Sequence, residues 1–460
     1  MNRCVRLIAI LAIAGCSQPS EPPLGPSLER SSDSRSEATA SAAVMYWNQA
    51  ATDVVGAMNL PIPLPPMPES RIYAMTAGAV HDALNAIVPR YRQYAYQDRA
   101  PRQVNAAAAV AGAVEAIPRP VVVAAAADPV FPNPNPGQVL DQAWHSFLAT
   151  IPDGPEKAAG LALGNAAAAA MLARRANDGS GGAGLAPYSG TGVPGAYRPT
   201  PPFGFDPDYL TGLADAQTWG SVRPFAIPSG AAFRSGPPYG TEDPSVAVRR
   251  LRYAADFNEV KALGGATSHR TQEQTDIALF WMENSPRGWN RVAQILGARR
   301  RLDGWQLGRL FALLHFAEAD AYITSLESKY HYKFWRPITA IRFADQDNNP
   351  RTAADPAWDV LTSTFGVPTP PVPEFPSAHA TAGGAAAAIL EATFGRVEFS
   401  MSSTTLPGAV RTFRSIGAAA RENAESRVFI GYHFRHATEV GLDQGRRIGQ
   451  FVVRNGLPRN

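Results

Sequence analysis

Apolar positions recur at three- and four-residue spacing through most of this chain, with few β-branched runs, and that period predicts helices over 67–88, 157–177, 271–298, 303–334, 377–394 and 408–455. Proline and glycine collect between these segments. The stretch 178–245 is too long for an idle connection and is expected to pack as a structured excursion. From about Tyr46 onward the chain reads as one large helical unit of roughly 415 residues, enough for two sub-bundles sharing an interface. No short internal repeat stands out.

The first residues have a different character. Arg3 and Arg6 precede the apolar run Leu7 to Ala14, which ends at Ile13-Ala14-Gly15-Cys16 and resembles a bacterial lipoprotein signal. The resemblance implies removal of 1–15, a lipid on Cys16, and export to the cell envelope, periplasmic or outer-membrane in a Gram-negative cell. Ser17 follows the cysteine where inner-membrane retention usually has aspartate. Residues 16–42 have a polar, proline-rich tether composition, expected to be disordered, with the folded domain at 43–460. The only cysteines are Cys4 and Cys16, so the body holds no disulfide and no cysteine metal site. After Ala14 no apolar stretch of about 18 residues lacks a charge or proline; the alanine-rich segment 105–128 is broken by Glu115, Pro118, Arg119 and Pro120.

A net charge of +3 over 460 residues, with no basic run, gives no footprint for nucleic acid. Lysine is scarce, with Lys157, Lys261, Lys329 and Lys333 the complete set. Lys329 stands out for its place before Arg336-Pro337. Seven residues apart on a helix, Lys329 and Arg336 would share a face, and Pro337 should stop the helix at Arg336. Pro376-Ser377-Ala378-His379 then opens a small-residue helix, whose unpaired N–H groups and Ser377 hydroxyl suit an anion. Finally, Ser426-Arg427 leads to His433, with Ser426 and His433 expected on one helical face. Each motif alone also fits an ordinary helix terminus or amphipathic face. In order within one chain they assemble three cations, a hydroxyl and two histidines, a set suited to phosphate or vanadate.

The three motifs resemble the superfamily that unites vanadium-dependent haloperoxidases, type 2 phosphatidic acid phosphatases and bacterial nonspecific acid phosphatases. Segments such as His81-Asp82-Ala83-Leu84-Asn85 and Lys329-Tyr330-His331-Tyr332-Lys333-Phe334-Trp335 look like its exported haloperoxidase-related branch. The resemblance implies an all-α fold of two four-helix bundles, with the site in the C-terminal one. It implies that Lys329, Arg336 and Arg427 hold vanadate, with Ser377 and the Ala378 N–H donating to it. His433 would be the vanadium ligand, or the phosphorylated nucleophile of a phosphatase, and His379 the acid–base residue. The implied reaction is oxidation of a halide, bromide first, by hydrogen peroxide to hypohalous acid, with Lys329 polarising the peroxide. The alternatives are an acid phosphatase acting on phosphate esters and a non-catalytic oxyanion-binding lipoprotein. Membrane contact would run through the lipid alone, and a homodimer stays open.

Two departures from the family pattern stand out. Ala378 occupies a glycine position, which matters only if φ is positive there. Ala437 occupies the position of an aspartate that would orient the final histidine, leaving Glu439, Asp443 or a backbone carbonyl as candidates for that role.

Overall fold

Capping chemistry sets where the site-bearing helices begin. Asp303 accepts from the Trp305 and Gln306 N–H groups while Gln306 reaches back to the Asp303 N–H, a reciprocal cap on a long buried helix. Thr271 and Gln274 form the same box, and Ser377, Ser415 and Asn105 each accept from the N–H three residues on. The computed structural model describes residues 27–58, 64–128, 132–182 and 184–460, with side chains from Glu37 onward. The signal segment and Cys16 lie outside the described residues.

The chain is mostly helical. Its helices are α1 (Ser27–Ala57), α2 (Pro66–Ile87), α3 (Ala106–Ala116), α4 (Arg119–Ala126), α5 (Asn135–Leu148), α6 (Pro155–Arg175), α7 (Pro244–Ala247), α8 (Leu251–Leu263), α9 (Gln272–Phe280), α10 (Ser285–Arg299), α11 (Gly304–Tyr332), α12 (Pro337–Arg342), α13 (Ala378–Phe394), α14 (Ile416–Phe429) and α15 (Arg435–Asn455). Two antiparallel hairpins complete it. β1 (Ala186–Ser189) pairs with β2 (Thr211–Ala214), and β3 (Phe399–Ser402) with β4 (Val410–Phe413). Helix contacts fall into two groups, α1–α2–α3–α6 and α11–α13–α14–α15, joined where α11 packs on both α2 and α13.

Several expected boundaries move. The 271–298 segment breaks between α9 and α10 at Trp281–Asn284, and 408–455 holds β4, α14 and α15 rather than one helix. The excursion 178–245 is structured: Tyr197, Thr200 and Trp219 are buried in it, and the Phe225, Ala226 and Ile227 N–H groups all donate to Asp320 on α11. The run Ala106–Ala126 is long and apolar enough for a span, but it is split into α3 and α4 and mostly buried inside the fold.

The tether expected at 16–42 overlaps α1, which starts at Ser27. Ala40 is fully buried, and a Cβ built on Gly304 would lie 2.7 Å from the Ala40 Cβ, so α1 seats on the start of α11. Glu37 also pairs with Arg90. A chain beginning at residue 43 removes these contacts. It is expected to melt about one to two degrees below a chain beginning at 27, having lost roughly 1–2 kcal/mol of apolar burial. Equal melting temperatures would show that the start of α1 contributes nothing.

The two helix groups repeat each other, although no short repeat is visible in the sequence. In α2 Asp82 accepts from three successive N–H groups, Tyr94 to Tyr96, as Asp320 does in α11. Arg71 and Arg309, equally far ahead of those aspartates, donate to carbonyls at or just past the end of the last helix of their group, Arg175 at the end of α6 and Leu457 two residues beyond α15. Glycines set the same close crossing. A Cβ on Gly164 would meet the Ala109 carbonyl at 2.2 Å, and one on Gly445 would meet Thr381 at 1.9 Å, each four residues past its N-cap, Asn105 or Ser377. In this correspondence Tyr91 stands for Lys329 and Ala107 for His379, so only the C-terminal group retains the cation and the imidazole.

Candidate active site

Lys329, Arg336, Ala378, His379, Arg427 and His433 are placed by helix ends or loops against one cavity of about 500 Å³, while Ser377 is fully buried beside them and does not line it. Lys329 lies in the last turn of α11. The helix stops at Tyr332, not at Arg336, because Lys333 takes a left-handed conformation (φ 49°, ψ 47°) that closes it. Arg336 is instead the extended N-cap residue of α12, held out of helical geometry by Pro337. The two cations converge through this turn rather than along one helical stripe.

Arg336 is buried and fixed by three contacts. Its Nε donates to the Val372 carbonyl at 2.7 Å, and Nη1 to the Tyr432 carbonyl at 2.9 Å and to His433 Nε2 at 3.1 Å. Lys329 Nζ donates to the Pro373 and Glu374 carbonyls at 2.6 and 2.7 Å. Burial, and then the neighbouring Arg336, pull the Lys329 ammonium well below its ordinary pKa. A resident anion would reverse that pull.

His433 is not on a helix with Ser426. α14 ends at Phe429, Gly431 turns the chain at φ 88°, and His433 sits in the loop before α15. Its ring is oriented by Glu374, whose Oε1 lies 3.0 Å from Nδ1 and also accepts from the Phe434 N–H at 3.0 Å. Arginine can only donate, so Nε2 accepts from Arg336 and Nδ1 carries the proton. Burial, then Arg336, Lys329 and Arg427, hold His433 well below the usual imidazole range. The result is a neutral ring with its lone pair turned toward the cations.

Glu374 was not among the partners expected from the sequence. Glu439 pairs with Arg252 and Asp443 with Arg447, both away from His433. The local signal was present, an acidic residue in the proline- and valine-rich run just before Ser377, but nothing in it pointed across to His433. Burial pushes the Glu374 carboxyl up to about 8, against the pull of Lys329 and Arg336.

Ser377 is the N-cap of α13, its hydroxyl accepting weakly from the Ala380 N–H at 3.4 Å and keeping its own hydrogen to donate. Ala378 is the first helical residue and is not among the positive-φ residues, so alanine is unstrained there. Its N–H belongs to the first turn, where a helix has no acceptors of its own. His379 lines the cavity one residue further on, with its Nε2 buried and unpartnered. Burial, then Arg427, hold it well below the usual imidazole range.

Arg427 completes the set from the last turn of α14. Its guanidinium lies 5.7 Å from the centre of the Tyr432 ring, and neither Nε nor Nη2, both buried, has a partner. Burial brings it down to about 10. Three buried cations, Lys329, Arg336 and Arg427, thus line the cavity together with the acidic Asp215 and Glu283, and two of the Arg427 nitrogens have no partner. That donor set fits a tetrahedral oxyanion, vanadate or phosphate, with an imidazole lone pair alongside.

The chain is similar to known proteins. Residues 309–456 match the family model of the VCPO second helical-bundle domain. The vanadium chloroperoxidase of Curvularia inaequalis is 26% identical, over 87% of this chain and 80% of the relative. A solved bacterial vanadium-dependent iodoperoxidase superposes with a TM-score of 0.70 at 23% identity, covering 90% of this chain and 96% of that one. A holo-type bacterial vanadium-dependent chloroperoxidase gives 0.64 at 17%, covering 86% and 95%. These likenesses establish the fold and support the superfamily that the motifs resemble.

Proposed function

We propose that this protein is a vanadate-dependent haloperoxidase that oxidises halide, with bromide as the first to assay, using hydrogen peroxide. The observation that carries this reading is the pair of unpartnered groups, Arg427 and His379 Nε2, facing the same cavity as Lys329, Arg336 and the His433 lone pair. The relatives, vanadium haloperoxidases over most of the chain's length, support vanadate over phosphate as the resident anion. Bound vanadate would supply a Lewis acid toward peroxide that keeps its oxidation state.

The chain's own residues would do the rest. Lys329, Arg336 and Arg427 balance the oxyanion charge with charge-assisted hydrogen bonds, joined by Ser377 Oγ and the Ala378 N–H. His433 Nε2 is the protein ligand, kept in the right tautomer by Glu374. His379, neutral and unpartnered, can accept or return a proton at Nε2. Lys329, stripped of water, concentrates positive charge where a bound oxygen would be polarised.

The direct test is to strip bound anion, add vanadate or phosphate, and compare peroxide-dependent bromination with phosphate-ester hydrolysis in one preparation. Bromination only with vanadate is expected. Ester hydrolysis through a trapped phosphohistidine at His433 would favour a phosphatase instead. Arg427→Ala should weaken vanadate and phosphate together, by about 1.5–3 kcal/mol for a lost bond to a charged group. Unchanged vanadate affinity by calorimetry would remove Arg427 from the site.

Export is a separate part of the proposal, resting on Arg3, Arg6, the apolar run and Cys16. Cys16→Ser should leave the protein unprocessed or outside the membrane fraction. Normal processing with membrane retention would argue against a lipid at Cys16.

A further inference from the structure

The cavity wall contains two of the folded body's thioethers, Met67 and Met282. With the only cysteines at positions 4 and 16, thioethers are the groups most readily attacked by an electrophilic halogen. Met67 and Met282 both line the cavity that holds Lys329, His379 and His433. Met67 is buried and packs in a small apolar cluster with Tyr322, Leu326 and Val372, themselves cavity-lining residues. Met282 is half-buried in the break between α9 and α10. Met45 offers a natural contrast, since it is also half-buried but packs against the hydrophobic core away from the cavity.

We propose that Met282 and Met67 are modification sites of the protein's own chemistry, oxidised to sulfoxides by hypohalous acid made at the anion site before that oxidant reaches other methionines. The proposal rests on the haloperoxidase reading, which supplies the oxidant. In the step, sulfur attacks the halogen of HOX, the O–X bond breaks, and hydroxide leaves as water after taking a proton. Water then adds at sulfur, and halide and two protons depart. Sulfur loses two electrons and the halogen gains them, giving one sulfoxide and one halide for each hypohalous acid. At Met67 the new S=O dipole stands in an apolar wall and disturbs the packing of Tyr322 and Leu326 around the site. Turnover therefore limits itself.

The test uses the full vanadate-loaded protein, hydrogen peroxide and bromide, with peptide mass mapping over time and a dissolved phenol reporting oxidant formation. Sulfoxide at Met282 and Met67 is expected to exceed that at Met45 severalfold, and to need both bromide and vanadate. Hypobromite added from outside should instead oxidise Met282 and Met45 to similar extents. Met282→Leu and Met67→Leu, close in volume to the originals, should keep the initial rate and extend total turnovers severalfold. Bromination of the phenol with Met45 and Met282 equally oxidised, or leucine variants that decay as fast as the parent, would overturn this inference alone. No bromination of the phenol would sink the haloperoxidase reading, and this one with it.

Discussion

Replacing His433 by alanine is expected to abolish bromination together with tight vanadate binding, because the Nε2 lone pair is the site's one proposed bond from protein to metal. His379→Ala should behave differently. It removes a proton-transfer group whose Nε2 is buried without a partner, so turnover should fall by about 10²–10⁴-fold while vanadate still binds. Binding and catalysis are thus expected to separate between two imidazoles of one cavity. A vanadate-soaked crystal of the His379 variant should show vanadium about 2 Å from His433, a usual metal–imidazole distance. Metal bound to His379 instead, or bromination persisting in His433→Ala, would reverse the two roles.

The second large effect is expected at Glu374, a positioning residue that works through His433. Glu374→Gln keeps an oxygen to accept from the imidazole Nδ1–H and the Phe434 N–H, both now 3.0 Å away, but it cannot take on the negative charge that the carboxyl gains above about pH 8 and that makes Nε2 a stronger donor. Vanadate affinity should fall roughly 10–100-fold, the usual cost of losing the partner of a metal-bound histidine. Glu374→Ala should lose more, since it leaves a buried imidazole N–H and a backbone N–H unpaired beside three cations. Titration of vanadate into both variants decides the matter. Parent-like affinity in Glu374→Gln would mean that the carboxylate charge is not felt at His433, and a fall in the alanine variant alone would assign Glu374 to structure only.

The residues of the candidate site were legible in the sequence because the proposed chemistry depends on residue type. Lys329, Arg336, Arg427, His379 and His433 all reach the same cavity, and the start of α13 falls at Ser377 as small residues after an N-cap require. Local pattern also placed the main helix of each group, α2 and α11, to within two residues. It misjudged the places where one turn replaces helical geometry. Seven-residue spacing put Lys329 with Arg336, and Ser426 with His433, on common helix faces, whereas left-handed Lys333 and the turn at Gly431 break both helices first. Periodicity reports the face of a helix that continues; it does not report where the chain stops.

The orienting partner of His433 shows the same division. Helical spacing nominated Glu439 and Asp443, near in sequence, while the structure supplies Glu374 from a segment 59 residues away. The likeness between the two helix groups was hidden for a related reason, since it resides in glycine contacts and in aspartates that gather backbone N–H groups. The amino-acid sequence by itself determined the helical class, the inventory of cations and imidazoles, and the oxyanion they suit, because those follow from composition, period and motif. Only the tertiary structure decided which carboxylate sets the tautomer of His433, which donors are left without partners, and that α1 belongs to the folded body. Each of these is a contact between segments distant in the chain, and its strength comes from burial that no local window contains.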